Sequence, residues 1–338
     1  RDSTYPLYAV CMNIIAADIG GTNSRLAWIV HDEQQQGVVH HQNSFVNQHF
    51  ADFETLLAAF IDECAGLTTI AMLCLALPAP ITGDTIKLTN LHWVMQRQHL
   101  RTRFNIAEVI FINDFQAAAL GTTVVAPAEL ITLNNALADV HGPRAVIGAG
   151  TGLGVAYMHY LQTSFRAFAT EGGHIDFAPK DEVQEELLDY LEKKYDRVSY
   201  ERILSGPGLV DLYGFCTEDD KRDVTAGWVN RQAMQGSNLD AVTAMRLYAT
   251  IFGSFVGNIA LMFRPSGGIY MVGGVTVKTA YWLQSEFFHE AYLDKGRMSS
   301  LAMQTPVYLV MDEHTGLKGI IEFAQTQAMQ ENSGLAAN

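Results

Sequence analysis

The chain has 338 residues, of which 49% are hydrophobic and 17% are charged, so it holds enough apolar material for more than one core. Its formal net charge of −14 repels phosphate backbones and anionic lipid surfaces, so we expect no nucleic-acid partner and no membrane partner. An anionic substrate would need a local trap made of backbone N–H groups or a metal ion.

The cysteines and the apolar stretches favour a cytoplasmic protein. Four cysteines are scattered without paired spacing: Cys11, Cys64, Cys74 and Cys216. This pattern indicates reduced thiols rather than a zinc site or a disulfide framework. The longest apolar stretch, residues 70–77, is too short to span a bilayer and ends in prolines, so it predicts a buried strand. No signal-peptide pattern is visible, and we interpret residues 1–11, which precede Met12, as a leader or extension.

Two regions share one local plan of strand, tight glycine turn and strand, which predicts a β-hairpin in each. In the first, the apolar residues 14–17 run into Asp18-Ile19-Gly20-Gly21-Thr22-Asn23, and a second strand follows at 26–30. In the other, residues 145–147 run into Gly148-Ala149-Gly150-Thr151-Gly152, and a strand follows at 153–158. A third strand is predicted after each hairpin, at 38–45 and at 165–169.

Helices and strands alternate after each set of three strands. The first half carries helical patterns at 53–61 and 96–104 and strands at 70–77 and 109–112. The second half carries helices at 181–195, at 239–263 and after Gly316, with strands at 268–272 and 307–311. This order predicts two α/β domains with mixed sheets. We place a small N-terminal domain at 12–123, completed by a C-terminal helix at 315–330, and a large domain at 124–314.

Two common phosphate motifs are absent from the sequence. No Gly-x-x-x-x-Gly-Lys-[Ser/Thr] run exists, and the glycines near residue 150 are spaced two apart before a strand, so neither a P-loop nor a Rossmann site is present. The two glycine hairpins remain, each with a threonine at its tip. Successive N–H groups without Cβ atoms form a concave donor set for an anion. The alternative is that both are ordinary hairpin turns. This alternative is disfavoured because the two turns stand at matching positions of a repeated order of strands.

Asn113-Asp114 stands between a predicted strand and a predicted helix. An Asn or Asp before a helix is most simply an N-cap, which contributes about 1 kcal/mol. A carboxylate at the carboxyl end of a strand also points to the edge where α/β sheets bind ligands. There it can accept a proton from an attacking hydroxyl group. Both interpretations stay open for Asp114 on the residues alone.

Three further polar groups are candidates for ligand contact. In the run Glu171-Gly172-Gly173-His174, the two glycines can bring both polar side chains to one small ligand, although the run can equally be a solvated turn. A metal site completed by Asp176 is the weakest alternative. Glu201 is predicted in the first turn of a helix capped by Ser199, where a negative side chain is favourable anyway. Gly273-Gly274 follows a strand and forms either a plain turn or a backbone surface for an adenine ring.

Taken together, these residues resemble the bacterial glucokinases, in order and over nearly the whole chain. The motifs that carry the resemblance are Asp18-x-Gly20-Gly21-Thr22-Asn23-x-Arg25-Leu26, Pro80-Ile81-Thr82-Gly83-Asp84, Thr89-Asn90-x-x-Trp93, Ile112-Asn113-Asp114-Phe115, Gly148-Ala149-Gly150-Thr151-Gly152-Leu153-Gly154, Glu171-Gly172-Gly173-His174-x-Asp176-Phe177-Ala178-Pro179 and Glu201-Arg202-x-Leu204-Ser205-Gly206-Pro207-Gly208-Leu209. The chain departs from the family at Ala169-Thr170, where Pro-Gly is common, and at His314-Thr315, where Asn-Pro is common. The first departure could loosen sugar selectivity, and we expect the second to be neutral.

The resemblance implies two ribonuclease H-like, actin-like domains with the active site in the cleft between them and sugar-induced closure. It implies that Asp114 is the general base and that hexose hydroxyls bind Asn113, Asp114, Glu171, His174 and Glu201. ATP would bind at Ala17, Asp18, Ile19, Gly20, Gly21, Thr22, Asn23, Gly150, Thr151, Gly152, Gly273 and Gly274. Asp18 would hold Mg²⁺ through water, and the family suggests a homodimer.

The function predicted from this resemblance is transfer of a phosphoryl group from ATP to glucose, the entry step of glycolysis. A kinase for another hexose, mannose or fructose, is the nearest alternative. An actin-like ATPase would use the same hairpins with water as the nucleophile. A sugar-sensing transcription regulator would need a DNA-binding domain, and only 17 residues precede Asp18.

Overall fold

A computed structural model describes residues 12–31, 37–88, 91–217 and 223–332. The segment 1–11 and the Thr89-Asn90 part of one motif lie outside the described residues. The strands are β1 (Met12–Ile19), β2 (Asn23–His31), β3 (Gly37–Val46), β4 (Met72–Leu77), β5 (Thr85–Lys87), β6 (Val94–Gln96), β7 (Glu108–Asn113), β8 (Leu130–Thr132), β9 (Arg144–Ala149), β10 (Leu153–Leu161), β11 (Ser164–Thr170), β12 (Gly268–Val272) and β13 (Val307–Val310). The helices are α1 (Phe53–Glu63), α2 (Arg97–Phe104), α3 (Asp114–Gly121), α4 (Glu182–Glu192), α5 (Gly206–Thr217), α6 (Ala226–Gln235), α7 (Leu239–Phe263), α8 (Gly274–Lys278), α9 (Ala280–Leu283), α10 (Glu286–Leu293), α11 (Ser299–Met303) and α12 (Thr315–Asn332).

The chain divides into two compact units. Unit 1 comprises the described residues up to Val124 and those from His314 onward, and unit 2 comprises Val125–Glu313. Unit 1 is built on a sheet of order β3-β2-β1-β4-β7. In it β1, β2 and β3 run antiparallel, and β4 and β7 continue in parallel with β1. A separate small hairpin pairs β5 with β6.

Helices cover both faces of the unit 1 sheet, because the side chains of a strand alternate between its two faces. Ile15 and Ala17 of β1 pack in the cluster that contains the apolar face of α1. Ile14 and Ala16 pack in the opposite cluster, which contains apolar residues of α12. Helix α12 therefore covers this sheet although it lies far from β1 along the chain.

Unit 2 repeats the plan on a sheet of order β11-β10-β9-β12-β13-β8. Here β9, β10 and β11 are antiparallel, β12 and β13 run parallel with β9, and β8 pairs antiparallel at the edge. Both sheets thus contain three antiparallel strands followed by two parallel ones. This is the repeated mixed-sheet plan that the two glycine hairpins predict.

The core of unit 2 contains the long helix α7, which packs against α5, α6 and α10. Close packing needs residues without a Cβ: at Gly253 that atom would lie 2.1 Å from the carbonyl oxygen of Phe288, and at Gly257 it would lie 2.5 Å from that of Tyr292. Among the described residues α7 is the one helix long and apolar enough to cross a membrane, but 61% of its apolar window is buried. That burial is typical of a core helix.

Candidate functional site

Hairpin 1 (residues 20–23) joins β1 to β2. The Gly20 N–H donates to the carbonyl oxygen of Asn23 at 3.0 Å, which closes the turn. Gly21 and Thr22 at the tip are exposed, and a Cβ on Gly21 would meet nothing within 4 Å. The tip therefore offers open backbone, as an anion site requires. Ala17 and Ile19, also predicted at the nucleotide, have fully buried side chains in the core, so only their backbone groups are available to a ligand.

Asp18 stands at the end of β1, opposite Arg25 of β2. Its carboxylate is mostly buried and lies 3.6 Å from the Arg25 guanidinium. Burial raises the pKa of the Asp18 carboxyl above its usual value, and the charge and hydrogen bonding of Arg25 act in the opposite direction. A Cβ on Gly316 would lie only 2.6 Å from Asp18 Oδ2, so the first turn of α12 abuts the carboxylate. The dipole of that helix also favours the ionised form.

An aspartate held in this way fits a hydrated Mg²⁺ ion. Mg²⁺ bound with a nucleotide usually takes one or two carboxylates plus phosphate oxygens and keeps several waters. The described residues contain no group of three or more His, Cys, Asp or Glu that could hold a metal by themselves. A single carboxylate beside an open glycine hairpin is consistent with that mode of binding.

Asn113 and Asp114 lie where β7 ends and α3 begins. The Asn113 side chain caps α3 by accepting from the N–H groups of Phe115 at 2.9 Å and Gln116 at 3.3 Å, and it donates to the Ala79 carbonyl at 3.3 Å. Oδ1 of the half-buried Asp114 accepts from the Phe115 N–H at 2.8 Å. The capping interpretation thus applies to Asn113. Because β1, β4 and β7 are parallel, Asp114 stands at the same sheet edge as Asp18 and hairpin 1.

Hairpin 2 (residues 150–152) joins β9 to β10. The Gly150 N–H donates to Gly152 O at 2.9 Å, and Gly150 O accepts from the N–H of Gly206 at the start of α5 at 2.8 Å. Thr151 at the tip is exposed. The turn at Gly273-Gly274 follows the neighbouring parallel strand β12, so both glycine turns lie at one edge of the unit 2 sheet. Gly273 has φ +99°, and a Cβ there would lie 2.6 Å from the Ala149 carbonyl oxygen, so that turn requires glycine.

Glu171, His174 and Glu201 come together in unit 2. His174 Nε2 lies 3.7 Å from Glu171 Oε2, and its Nδ1 lies 3.7 Å from Glu201 Oε1. Both separations exceed a hydrogen bond, and the side chains of His174 and Glu171 are 52% and 73% exposed. Two carboxylates and an imidazole can accept hydrogen bonds from, and donate them to, the hydroxyl groups of one small polyol.

The structure corrects one expectation about this cluster and disfavours one alternative. Glu201 lies in the short 3₁₀ turn Tyr200–Arg202, and the Ser199 side chain does not cap it, so the predicted helix there is wrong. Its Oε2 accepts from the Leu153 N–H at 3.0 Å, which links Glu201 to hairpin 2. Asp176 pairs instead with the Arg197 guanidinium at 2.6 Å, which argues against its completing a metal site with His174.

Thr170 supports the Glu171–His174 turn, a role that sequence reasoning missed. Its hydroxyl donates to the Val155 carbonyl at 2.8 Å and accepts from the Gly172 N–H at 3.1 Å. The departure Ala169-Thr170 therefore ties this turn to β10. In the sequence, Thr170 stands out only as a mismatch with the family motif. A mismatch does not reveal the hydrogen-bond partners of the hydroxyl group.

The site residues thus form two sets, each at the edge of one sheet. Comparison with known proteins then decides the family: residues 15–327 match the family model described as Glucokinase. The chain belongs to the glucokinase family. It is 34% identical to the glucokinase of Hahella chejuensis over 93% of this chain and 97% of that protein. It is 35% identical to the glucokinase of Photorhabdus laumondii over 90% of this chain and 94% of that protein.

Solved structures of glucokinases confirm the fold class. A glucokinase from an Antarctic psychrotroph is 28% identical, with a TM-score of 0.82 over 93% of this chain and 99% of that one. A glucokinase of the ROK family from Streptomyces griseus, solved in complex with glucose and AMPPNP, is 19% identical, with a TM-score of 0.56 over 93% of this chain and 99% of that one. The predicted fold of glucokinase-type sugar kinases is therefore confirmed.

Proposed function

We propose that this chain transfers the γ-phosphoryl group of ATP to the 6-hydroxyl group of D-glucose, giving ADP and glucose 6-phosphate. The observation that carries the proposal is the position of Asp114 in a chain of the glucokinase family. Its half-buried carboxylate stands at the carboxyl end of β7, at the same sheet edge as hairpin 1. The Streptomyces griseus relative, which binds glucose and AMPPNP, supports both substrates.

Asp114 acts as the general base in this proposal. As O6 of glucose attacks the γ-phosphorus, the carboxylate accepts the proton of that hydroxyl group, and the bond between the γ-phosphorus and the bridging oxygen breaks to release ADP. The Phe115 N–H that donates to Asp114 Oδ1 fixes the direction of the carboxylate. Phosphoryl transfer has little covalent chemistry for the protein to perform, so positioning supplies much of the rate.

The other residues bind and orient the two substrates. Asn113, Glu171, His174 and Glu201 hold sugar hydroxyls through the amide, carboxylate and imidazole groups described above. The backbone N–H groups of hairpins 1 and 2 bind phosphate oxygens, and Gly273-Gly274 lies against adenosine. Asp18 would hold Mg²⁺ through water. When bound, the ion neutralises charge on the phosphate oxygens.

A second candidate is a kinase with a preference for mannose or fructose. The observation that favours it is Thr170, which stands where the family often has glycine and which ties down the turn that presents Glu171. We further propose a cytoplasmic homodimer on the family resemblance. Light scattering after gel filtration at micromolar protein concentration tests the dimer directly.

The experiment is an ADP-release assay on a panel of acceptors: glucose, mannose, fructose, xylose and no sugar. We expect the highest kcat/KM with glucose and very slow ADP release without sugar. Xylose, which matches glucose but lacks the reacting CH₂OH group, should stimulate hydrolysis if it binds, because it leaves space for water. A higher kcat/KM for mannose or fructose would favour the second candidate. Fast release without sugar would contradict both and indicate an ATPase.

A further inference from the structure

Asn47 lies behind hairpin 1, in the short turn Asn47–His49 that follows β3. It is 2% exposed, so its side chain is removed from water. Its amide Nδ2 donates to the Gly20 carbonyl oxygen at 2.8 Å, and its Oδ1 accepts from the Ser24 hydroxyl at 2.7 Å. Its backbone N–H donates to the Thr22 carbonyl oxygen at 2.9 Å. One residue therefore binds two carbonyl groups of hairpin 1 and the hydroxyl group of Ser24 next to it.

These bonds fix the direction of the N–H groups on the hairpin. A trans peptide unit is planar, with its C=O and N–H groups pointing in opposite directions, and no cis peptide occurs among the described residues. Because Asn47 binds the Gly20 carbonyl, the N–H of Gly21 in the same peptide unit points away from Asn47. The bond to the Thr22 carbonyl turns the next N–H, that of Asn23, away from Asn47 in the same manner.

The tip of hairpin 1 is open. Gly21 and Thr22 are exposed, and a Cβ on Gly21 would meet nothing within 4 Å. The Gly21 N–H, which points away from Asn47, therefore lies on an exposed and uncrowded turn. A glycine turn without such a support would sample other peptide orientations, since glycine is conformationally permissive. Fixed donors lose less freedom when an anion binds, which strengthens binding.

We propose that Asn47 is a positioning residue for nucleotide binding: it holds the Gly20 and Thr22 carbonyls so that hairpin 1 presents its N–H groups to a phosphate of ATP. This inference rests on the proposed binding of phosphate at hairpin 1. Asn47 itself does not touch the nucleotide. Its effect passes through the two carbonyl groups and through Ser24.

The test is Asn47→Ala, which removes both side-chain hydrogen bonds and keeps the backbone one. We expect the Kd for ADP, measured by calorimetry, and the KM for ATP to rise about tenfold. A change of this size is expected when one or two hydrogen bonds that hold the hairpin in its binding conformation are lost. The KM for glucose should not change. Asn47→Asp keeps the size of the side chain and the acceptor for Ser24 but places an oxygen against the Gly20 carbonyl, so it should weaken ADP binding in the same direction.

Asn134→Ala is the matched control. The Asn134 side chain also makes two hydrogen bonds, donating to the Thr305 carbonyl at 2.7 Å and accepting from the Val307 N–H at 3.3 Å, but it lies in unit 2 beside β13. It should lower the melting temperature without changing the Kd for ADP. Asn47 variants that bind ADP as tightly as the parent would overturn the inference, as would failure of both to fold. A parent protein that binds ADP but does not phosphorylate glucose would instead contradict the proposed function.

Discussion

Replacement of Asp114 by Asn separates the catalytic role of this residue from its structural one. The Asp114 Oδ1 accepts from the Phe115 N–H, and an amide oxygen can accept the same bond. The cap of α3 comes from Asn113 and is untouched. The substitution removes one negative charge from the first turn of an eight-residue helix, where such a charge contributes about 0.3–1 kcal/mol to stability.

The expected loss of rate is much larger than this loss of stability. Removing a general base lowers kcat by about 10²–10⁴-fold. At about 1.4 kcal/mol for each factor of ten, the barrier rises by about 3–5 kcal/mol. The two effects differ enough in size that one variant can distinguish a base from a cap.

The assay compares kcat with glucose and ATP, the Kd for glucose and urea unfolding of parent and variant. Asp52→Asn is the matched control, because Asp52 caps α1 by accepting from the Thr55 N–H at 2.7 Å and Asn caps equally well. We expect the control to keep parental turnover. Near-normal turnover in Asp114→Asn, with unfolding also unchanged, would refute the assignment of the base.

Three further variants test the surroundings of the site. Gly150→Ala adds a methyl group that meets no protein atom within 4 Å, so the variant should fold normally yet have a higher KM for ATP. Gly83→Ala is equally uncrowded and should change neither folding nor the KM for ATP. A KM for ATP in Gly150→Ala equal to that of the parent would show that hairpin 2 does not belong to the site. Thr170→Val should raise the KM for glucose and leave that for ATP unchanged, while Thr170→Ser should retain parental values; a silent Thr170→Val would show that the hydroxyl has no such role. Gly316→Ala places a Cβ against the Asp18 carboxylate, so half-maximal activity should need more Mg²⁺, and an unchanged Mg²⁺ titration would contradict the role of Asp18.

Sequence periodicity located the long elements well. Helix α7 and strand β12 occupy the predicted residues, because an unbroken apolar pattern of the right period leaves few alternatives. The segment around Glu201 was predicted wrongly as a capped helix. The Glu201 side chain accepts a hydrogen bond from the Leu153 N–H, a tertiary contact that favours the 3₁₀ turn. The residues next to Glu201 in the sequence give no indication of this contact.

The residues of the candidate site also fall into those that the sequence reveals and those that it does not. Glycine turns and polar residues at strand ends are local features, so Asp18, Asp114 and both hairpins could be named from the sequence alone. Asn47 and Thr170 could not, because each acts through hydrogen bonds to backbone groups that are brought close only by the pairing of strands. Ala17 and Ile19 show the opposite limit: the family resemblance places them at the nucleotide, although their side chains are buried in the core.

The most direct test of the central claim is a time course in which ADP and glucose 6-phosphate are measured in the same reaction. We expect the two products to form in equal amounts from ATP, Mg²⁺ and glucose, and we expect omission of glucose to almost abolish ADP formation. ADP that forms at a similar rate without glucose, or that exceeds glucose 6-phosphate severalfold, would contradict it.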